Sequence, residues 1–227
     1  RAAENRPMSS STRKPTSRSK EKNMPNWITN RIRVNPSHFA EVKEILLDDE
    51  GEVDFNRLIP MPPWMDTLSI SMMERENPRK WFEWSRAHWG TKWNATHTVV
   101  KDELCEIAFD TAWQHPEPVI EELSRLLPHV TFAVIYAEED LGYGQRGAYY
   151  IRNLEKVPSP AALMADDGAW VANWDCLVMR SEPLEYSEDF PASENDSRDY
   201  DPFDILPGFA HLIGDEPTFN PFWLDAN

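Results

Sequence analysis

Met24-Pro25-Asn26-Trp27-Ile28-Thr29-Asn30-Arg31-Ile32-Arg33-Val34 is the stretch on which the fold turns. Here a basic, Ser-rich lead gives way to period-two alternation, with Ile28, Ile32 and Val34 on one face and Arg31 and Arg33 on the other. That pattern predicts the first strand of a folded domain. Asn30 interrupts the apolar face, so it needs a buried hydrogen-bond partner, such as a loop backbone group.

Upstream, residues 1–23 show no apolar periodicity and read as a disordered basic lead. The sequence starts at Arg1, and Met24 opens the first patterned stretch. The lead is read as an upstream read-through or an appended scar, or functionally as a basic arm for nucleic acid.

Downstream, Phe39, Val42, Ile45 and Leu46 recur at helical spacing and predict an amphipathic helix ending near Asp48–Gly51. Val53–Ile59 reads as a second strand, closed by Pro60, Pro62 and Pro63. Residues 64–77 read as an insertion. Asn77-Pro78 opens a helix with Trp81, Trp84 and His88 on its stripe, and Gly90 stops it. Lys101–Thr111 alternates Cys105, Ile107 and Phe109 against Glu106 and Asp110, a third strand. Pro116 opens a helix carrying Val119, Ile120, Leu123, Leu126 and Leu127, and Pro128 ends it. Thr131–Glu138 is strand-like, and Ala148–Arg152 returns across the Gly142–Gly147 turn as its hairpin partner.

Elements in this order predict an α+β, ferredoxin-like two-layer sandwich: an antiparallel sheet with helices on one face and a Trp-rich helix inserted. Trp170, Val171, Trp174, Leu177, Val178 and Met179 are too apolar for solvent, which carries the domain from residue 24 to about 181. Residues 182–227 read as an acidic extension, disordered to about Asp204 and carrying short apolar segments after it.

At 227 residues and 26.4 kDa the chain is long enough for a real core. Its net charge of -16 is unevenly spread, with seven Lys/Arg against two Asp/Glu in residues 1–23 and three against 16 in residues 154–227. So negative a surface repels phosphate and suits a basic partner or plain solubility. Cys105 and Cys176 are too few for a disulfide framework or a four-cysteine zinc site, and their apolar flanks predict buried free thiols. No stretch reaches the roughly 20 apolar residues of a membrane span, and no signal peptide is visible, so a cytoplasmic setting is the default expectation.

Four blocks carry a family likeness: MPNW at 24–27 followed by Asn30, FNRLIPMP at 55–62, WGTKWNA at 89–95 and FDTAWQHPEPVIEELSRLLP at 109–128. Together they resemble the Api92-like, or YubB-type, proteins encoded by phages and conjugative plasmids. The resemblance covers roughly residues 24–150 and implies a ferredoxin-like domain without an assigned activity. It does not reach the basic lead or the acidic extension. The cysteines that an iron–sulfur cluster requires are absent from this sequence.

Chemistry-bearing motifs are sparse. No His-x-x-x-His, Cys-x-x-Cys or Gly-x-Ser-x-Gly occurs, so neither a metal, nor a cofactor, nor a catalytic nucleophile is expected. Gly142-Tyr143-Gly144-Gln145-Arg146-Gly147 matches a dinucleotide fingerprint only in letters, because a strand rather than a helix follows it. The candidate binding residues are aromatic and polar: Trp89, Lys92, Trp93 and Asn94 in one loop, Trp113 and His115 in another. They are read either as a stacking or peptide-clamping site, or as core sealing the end of the sheet. Phe203, Ile205, Leu206, Phe209, Leu212 and Trp223 are read either as a partner-binding tail or as a segment that wraps back on its own domain.

The functional expectation is therefore a non-enzymatic phage or plasmid accessory protein. Its partner would be a host or element-encoded protein, including a basic nucleic-acid-binding one, and its sharpest form an acidic inhibitor of a host defence system. The alternative is an RNA or single-stranded DNA binder using Trp93, Lys92 and Trp113, with an uncharacterised enzyme as a third class.

Overall fold

A computed structural model describes residues 26–66, 80–157, 174, 175, 177–179, 201–209 and 212. The expected disordered lead, most of the 64–77 insertion, Trp170, Val171, Cys176, the acidic run 182–200 and Trp223 lie outside the described residues.

Strand β1 (Trp27–Arg33) sits inside a six-stranded sheet, with β2 (Thr96–Lys101), β3 (Glu106–Ala112), β4 (Phe132–Glu138), β5 (Arg146–Arg152) and β6 (Glu155–Val157). The spatial order is β2-β3-β1-β4-β5-β6, and every pairing is antiparallel. The first four strands in that order, with one helix after β1 and another after β3, make the ferredoxin-like two-layer sandwich. Strands β5 and β6 extend it beyond β4.

Helix α1 (Pro36–Leu46) starts where Asn35 accepts from the Ser37 amide and Pro36 pre-sets the first turn. Helix α2 (Pro63–Asp66) and helix α3 (Lys80–His88) belong to the long connection to β2, and α4 (Glu117–Leu126) joins β3 to β4. Phe39, Val42 and Leu46 of α1 and Val119, Ile120 and Leu123 of α4 bury their stripes on one sheet face, against Ile32, Ile107, Phe109, Phe132, Val134, Tyr149 and Ile151. Pleating places residues two apart on the same face, which is why each strand contributes every second side chain.

Val53–Ile59 is not a strand. Val53 makes one isolated bridge to Leu47, and Phe55–Arg57 is a 3-10 turn capped by the Asp54 side chain. Val53, Phe55 and Leu58 are the buried positions, a spacing that follows the turn and not a pleat. The second strand of the sandwich is Thr96–Lys101, whose half-exposed residues carry little apolar alternation. Cys105 is also not a strand residue: it ends a 3-10 turn between β2 and β3 with φ 49° and is half-buried, with its thiol near Asp102 O at 3.7 Å. Burial and the Asp102 charge push that thiol's pKa up, so it is a poor nucleophile.

The far sheet face is covered as well. Ala133, Ile135, Ala137, Ala148 and Tyr150 pack against Trp174, Val178, Phe203, Leu206, Phe209 and Leu212. Arg31 and Arg33, on the strand face opposite Ile28, Ile32 and Val34, are 5% and 3% exposed beneath this cover. Both bind buried Glu106, Arg31 through Nε and Nη2 at 2.9 and 2.8 Å, Arg33 through Nε at 2.5 Å. Arg33 also pairs with Asp201 and lies 4.4 Å from the Phe203 ring centroid. Backbone carbonyls complete the attachment: Trp174 Nε1 donates to Pro202 O, Tyr150 OH to Pro207 O, Arg31 Nη1 to Leu177 O and Asn35 Nδ2 to Leu212 O. Phe203, Leu206, Phe209 and Leu212 are thus core, with Ile205 packed beside them, and are not presented to a partner. Residues 201–209 and 212, beyond 181, are therefore part of the folded unit.

Candidate functional site

Asn30 organises a buried polar cluster at one end of the helix-covered face. Its amide nitrogen donates to Ile28 O, Phe109 O and Thr111 Oγ1 at 3.0, 3.3 and 2.9 Å. Its Oδ1 is thereby the acceptor side, so His115 Nδ1, 2.7 Å away, carries the proton and donates to it. His115 Nε2 then accepts from Tyr149 OH at 2.7 Å. The imidazole stacks on Tyr136 at 4.0 Å and 9°. Gly147 permits this, since a Cβ there would meet the Tyr136 ring at 2.5 Å. Burial, with a smaller push from Lys156, lowers the His115 pKa from 6.5 to about 3. His115 is a neutral core residue with both nitrogens used.

A few residues away the chain reaches solvent. Trp113 is 38% exposed and holds φ 72°, the left-handed region that bulky L-residues avoid. Its amide donates to Asn26 O at 2.8 Å, and Gln145 Nε2 donates to its carbonyl at 2.8 Å. Phe82 of α3 meets the indole edge-on at 5.9 Å. The Lys92 ammonium lies between two indoles, 4.4 Å from the Trp93 centroid and 4.6 Å from that of Trp113. Trp93 in turn packs on Trp27 at 6.1 Å, and its Nε1 is buried with no hydrogen-bond partner.

Beside Trp113 an open cleft of about 560 Å³ runs between α3 and the start of α4, lined by Phe82, Glu83, Arg86, Gln114, His115 and Glu117 among others. Gly90 shapes its floor: with φ +79° it ends the α3 segment, and a Cβ would strike Pro118 Cδ at 2.7 Å.

Of the sequence candidates, Lys92, Trp93 and Trp113 come together as one surface platform. Trp89 does not join them: it is 3% exposed, donates to Ile59 O and packs on Phe55. Asn94 is a brace, accepting from the Phe55 amide and donating to Asp54 Oδ1. His115, 9% exposed, is among the residues that line the cleft. The sequence reading does not reach Phe82, Trp27 or Arg86 as site residues; the approach of α3 to the 113–118 loop has no signal in spacing alone. The Gly142–Gly147 stretch is a hairpin turn, and its Gly142 amide donates to Asp175 Oδ2 at 2.8 Å, where a phosphate cradle would need it free.

Residues 88–155 match the family model described as the ferredoxin-like domain in Api92-like protein. No match was found among curated proteins or among solved structures. The matched span runs from the last residue of α3 to the first residue of β6, and so contains four of the six strands whole. Residues 88–155 are thus similar to the ferredoxin-like domain in Api92-like protein, and β1 and α1, outside the matched span, complete the same sandwich.

Proposed function

We propose that the chain is a non-enzymatic binding module that grips a segment of a partner protein on Trp113 and in the cleft beside it. The placement of Trp113 is the observation that supports this most. A left-handed conformation costs an L-residue roughly 1–2 kcal/mol, and it persists where the surroundings over-determine it. Here the Asn26 and Gln145 hydrogen bonds fasten that backbone on both sides, and the indole it carries is partly exposed beside Phe82 and Lys92. Exposed, pre-oriented aromatics beside a cleft are the anchors that partner proteins bury.

Charge favours a protein occupant. The chain carries -16 overall, and the cleft is lined by Glu83, Glu117 and Arg86, of which Glu117 already pairs with Lys156, so Glu83 and the overall charge are what favour a basic segment. A partner segment with basic residues fits that balance. The non-enzymatic reading rests on His115, whose nitrogens are both engaged and which stays neutral through the physiological range. The likeness to Api92-like proteins supports a phage or plasmid setting.

A second reading has one specific support. Lys92 between two indoles suits a stacked base with its phosphate nearby, as in single-strand binders.

The test is a pull-down from nuclease-treated lysate with the full chain against Trp113→Ala, read by mass spectrometry. A specific protein held by the parent and lost from Trp113→Ala supports the proposal. The same protein held by both sinks it. Capture of nucleic acid alone, weakening steeply with salt and abolished by Lys92→Glu, replaces it with the second reading.

A further inference from the structure

Helix α1 and the turn between α4 and β4 bring three metal-ligating side chains together, on the opposite side of the chemistry so far described. His38 and Glu41 stand three residues apart near the start of α1 and so share a helix face. His129 follows Pro128, in the turn that the end of α4 leads into. One ligand atom from each, an imidazole nitrogen of both histidines and a carboxylate oxygen of Glu41, all lie within 4.8 Å of one another. His129 Nε2 is 3.0 Å from Glu41 Oε2, and the two imidazoles meet edge to face with centroids 5.2 Å apart. No other such trio occurs among the described residues.

We propose that His38, Glu41 and His129 form a binding site for a divalent transition-metal ion of the zinc class, clipping α1 to the α4–β4 turn. Two imidazoles with one carboxylate suit zinc, nickel or cobalt, whereas magnesium and calcium take oxygen-only sets. Around a tetrahedral zinc with bonds of about 2.0–2.1 Å the ligand atoms stand roughly 3.3 Å apart. Reaching that spacing needs only side-chain rotation. His38 and Glu41 are half-buried and His129 is exposed, so the three have room to close, and the outer coordination positions stay open to water. The Nε2 of His129 faces Glu41 Oε2; a metal taken up at that nitrogen takes the place of the hydrogen bond, with the ring proton on Nδ1.

Calorimetric titration of the untagged full chain with zinc chloride tests the site, alongside thermal unfolding with and without the metal. One zinc per chain is expected, with a higher unfolding temperature in its presence. His129→Gln and Glu41→Gln should each weaken binding by more than about tenfold and lose the thermal shift. Both positions are surface ones, so circular dichroism should show each variant folded, and either variant alone suffices. Absence of saturable binding, or undiminished affinity in a folded variant, overturns the proposal.

Discussion

His115 Nδ1 donates to Asn30 Oδ1 at 2.7 Å, so the residue that interrupts the apolar face of β1 and the histidine before α4 satisfy each other inside the core. Each is the other's reason for being there. A buried amide costs free energy unless every donor and acceptor finds a partner, and Asn30 finds three acceptors and one donor.

Asn30→Ala removes all of these bonds at once and strands the His115 N–H without an acceptor. A loss of roughly 2–4 kcal/mol is expected, from the unpaired donor and the cavity together. Urea unfolding of the parent and the variant measures it. A loss below about 0.5 kcal/mol would mean the cluster contributes little.

His115 also makes stability depend on pH with a definite sign. Its pKa is about 3 in the fold against 6.5 ordinarily, so between those values the unfolded chain binds a proton that the native state does not. The contribution is whole above pH 6.5 and is lost as pH falls toward 3. By about pH 4.5 the loss amounts to roughly 2–3 kcal/mol. Urea midpoints at about pH 7, 5.5 and 4.5 should fall more steeply for the parent than for His115→Gln. Parallel slopes would contradict the burial argument.

Glu106 is the shared counter-ion of Arg31 and Arg33 and has no exposed surface. Glu106→Gln leaves two buried guanidiniums short of a charge, a change that typically costs about 3–5 kcal/mol. Because Arg33 also carries Asp201 and Phe203, the 201–212 segment should loosen with it. Limited proteolysis should cut the variant near Asp201–Leu212 at conditions where the parent resists. Unchanged protection would mean that Phe203, Leu206 and Phe209 hold the segment without the ion pairs.

Trp113→Gly separates binding from stability. Glycine adopts φ 72° freely, so relief of strain offsets the lost contacts with Phe82 and Lys92. The unfolding free energy should change by less than about 1 kcal/mol while partner capture disappears. A large destabilisation would show that the indole serves the core instead.

The sandwich is readable from β1, α1, α4, β4 and β5, because each sets its large apolar side chains at a clean period on the face that meets the main core. Val53–Ile59 misled for a physical reason: its apolar residues point inward from a 3-10 turn, where inwardness no longer implies a pleat. Thr96–Lys101 was passed over because an edge strand with half-exposed residues has no apolar face to announce it. The Lys92, Trp93 and Trp113 grouping could be drawn from two loops at one end of the sheet. Trp89 and Asn94, adjacent to them in sequence, went to the core and to a brace, a choice that only the packing of Phe55 and Asp54 decides. Nothing in the alternation says how Arg31 and Arg33 are buried; that requires Glu106, Asp201 and Phe203, from two parts of the chain far from β1.

The position of β1 in the middle of the sheet also sets a timetable for the newborn chain. Its two neighbours, β3 and β4, are made later, so the strand is not paired on both edges until Glu138 has left the ribosome. Even then the Ala133, Ile135 and Ala137 face stays incompletely covered until Leu212 follows Trp174, Val178 and Phe203. At synthesis rates of about 5–20 residues per second that exposure lasts roughly 4–15 s. A chain cut off before residue 201 never leaves this sticky interval, and its fate is aggregation or a chaperone's grip.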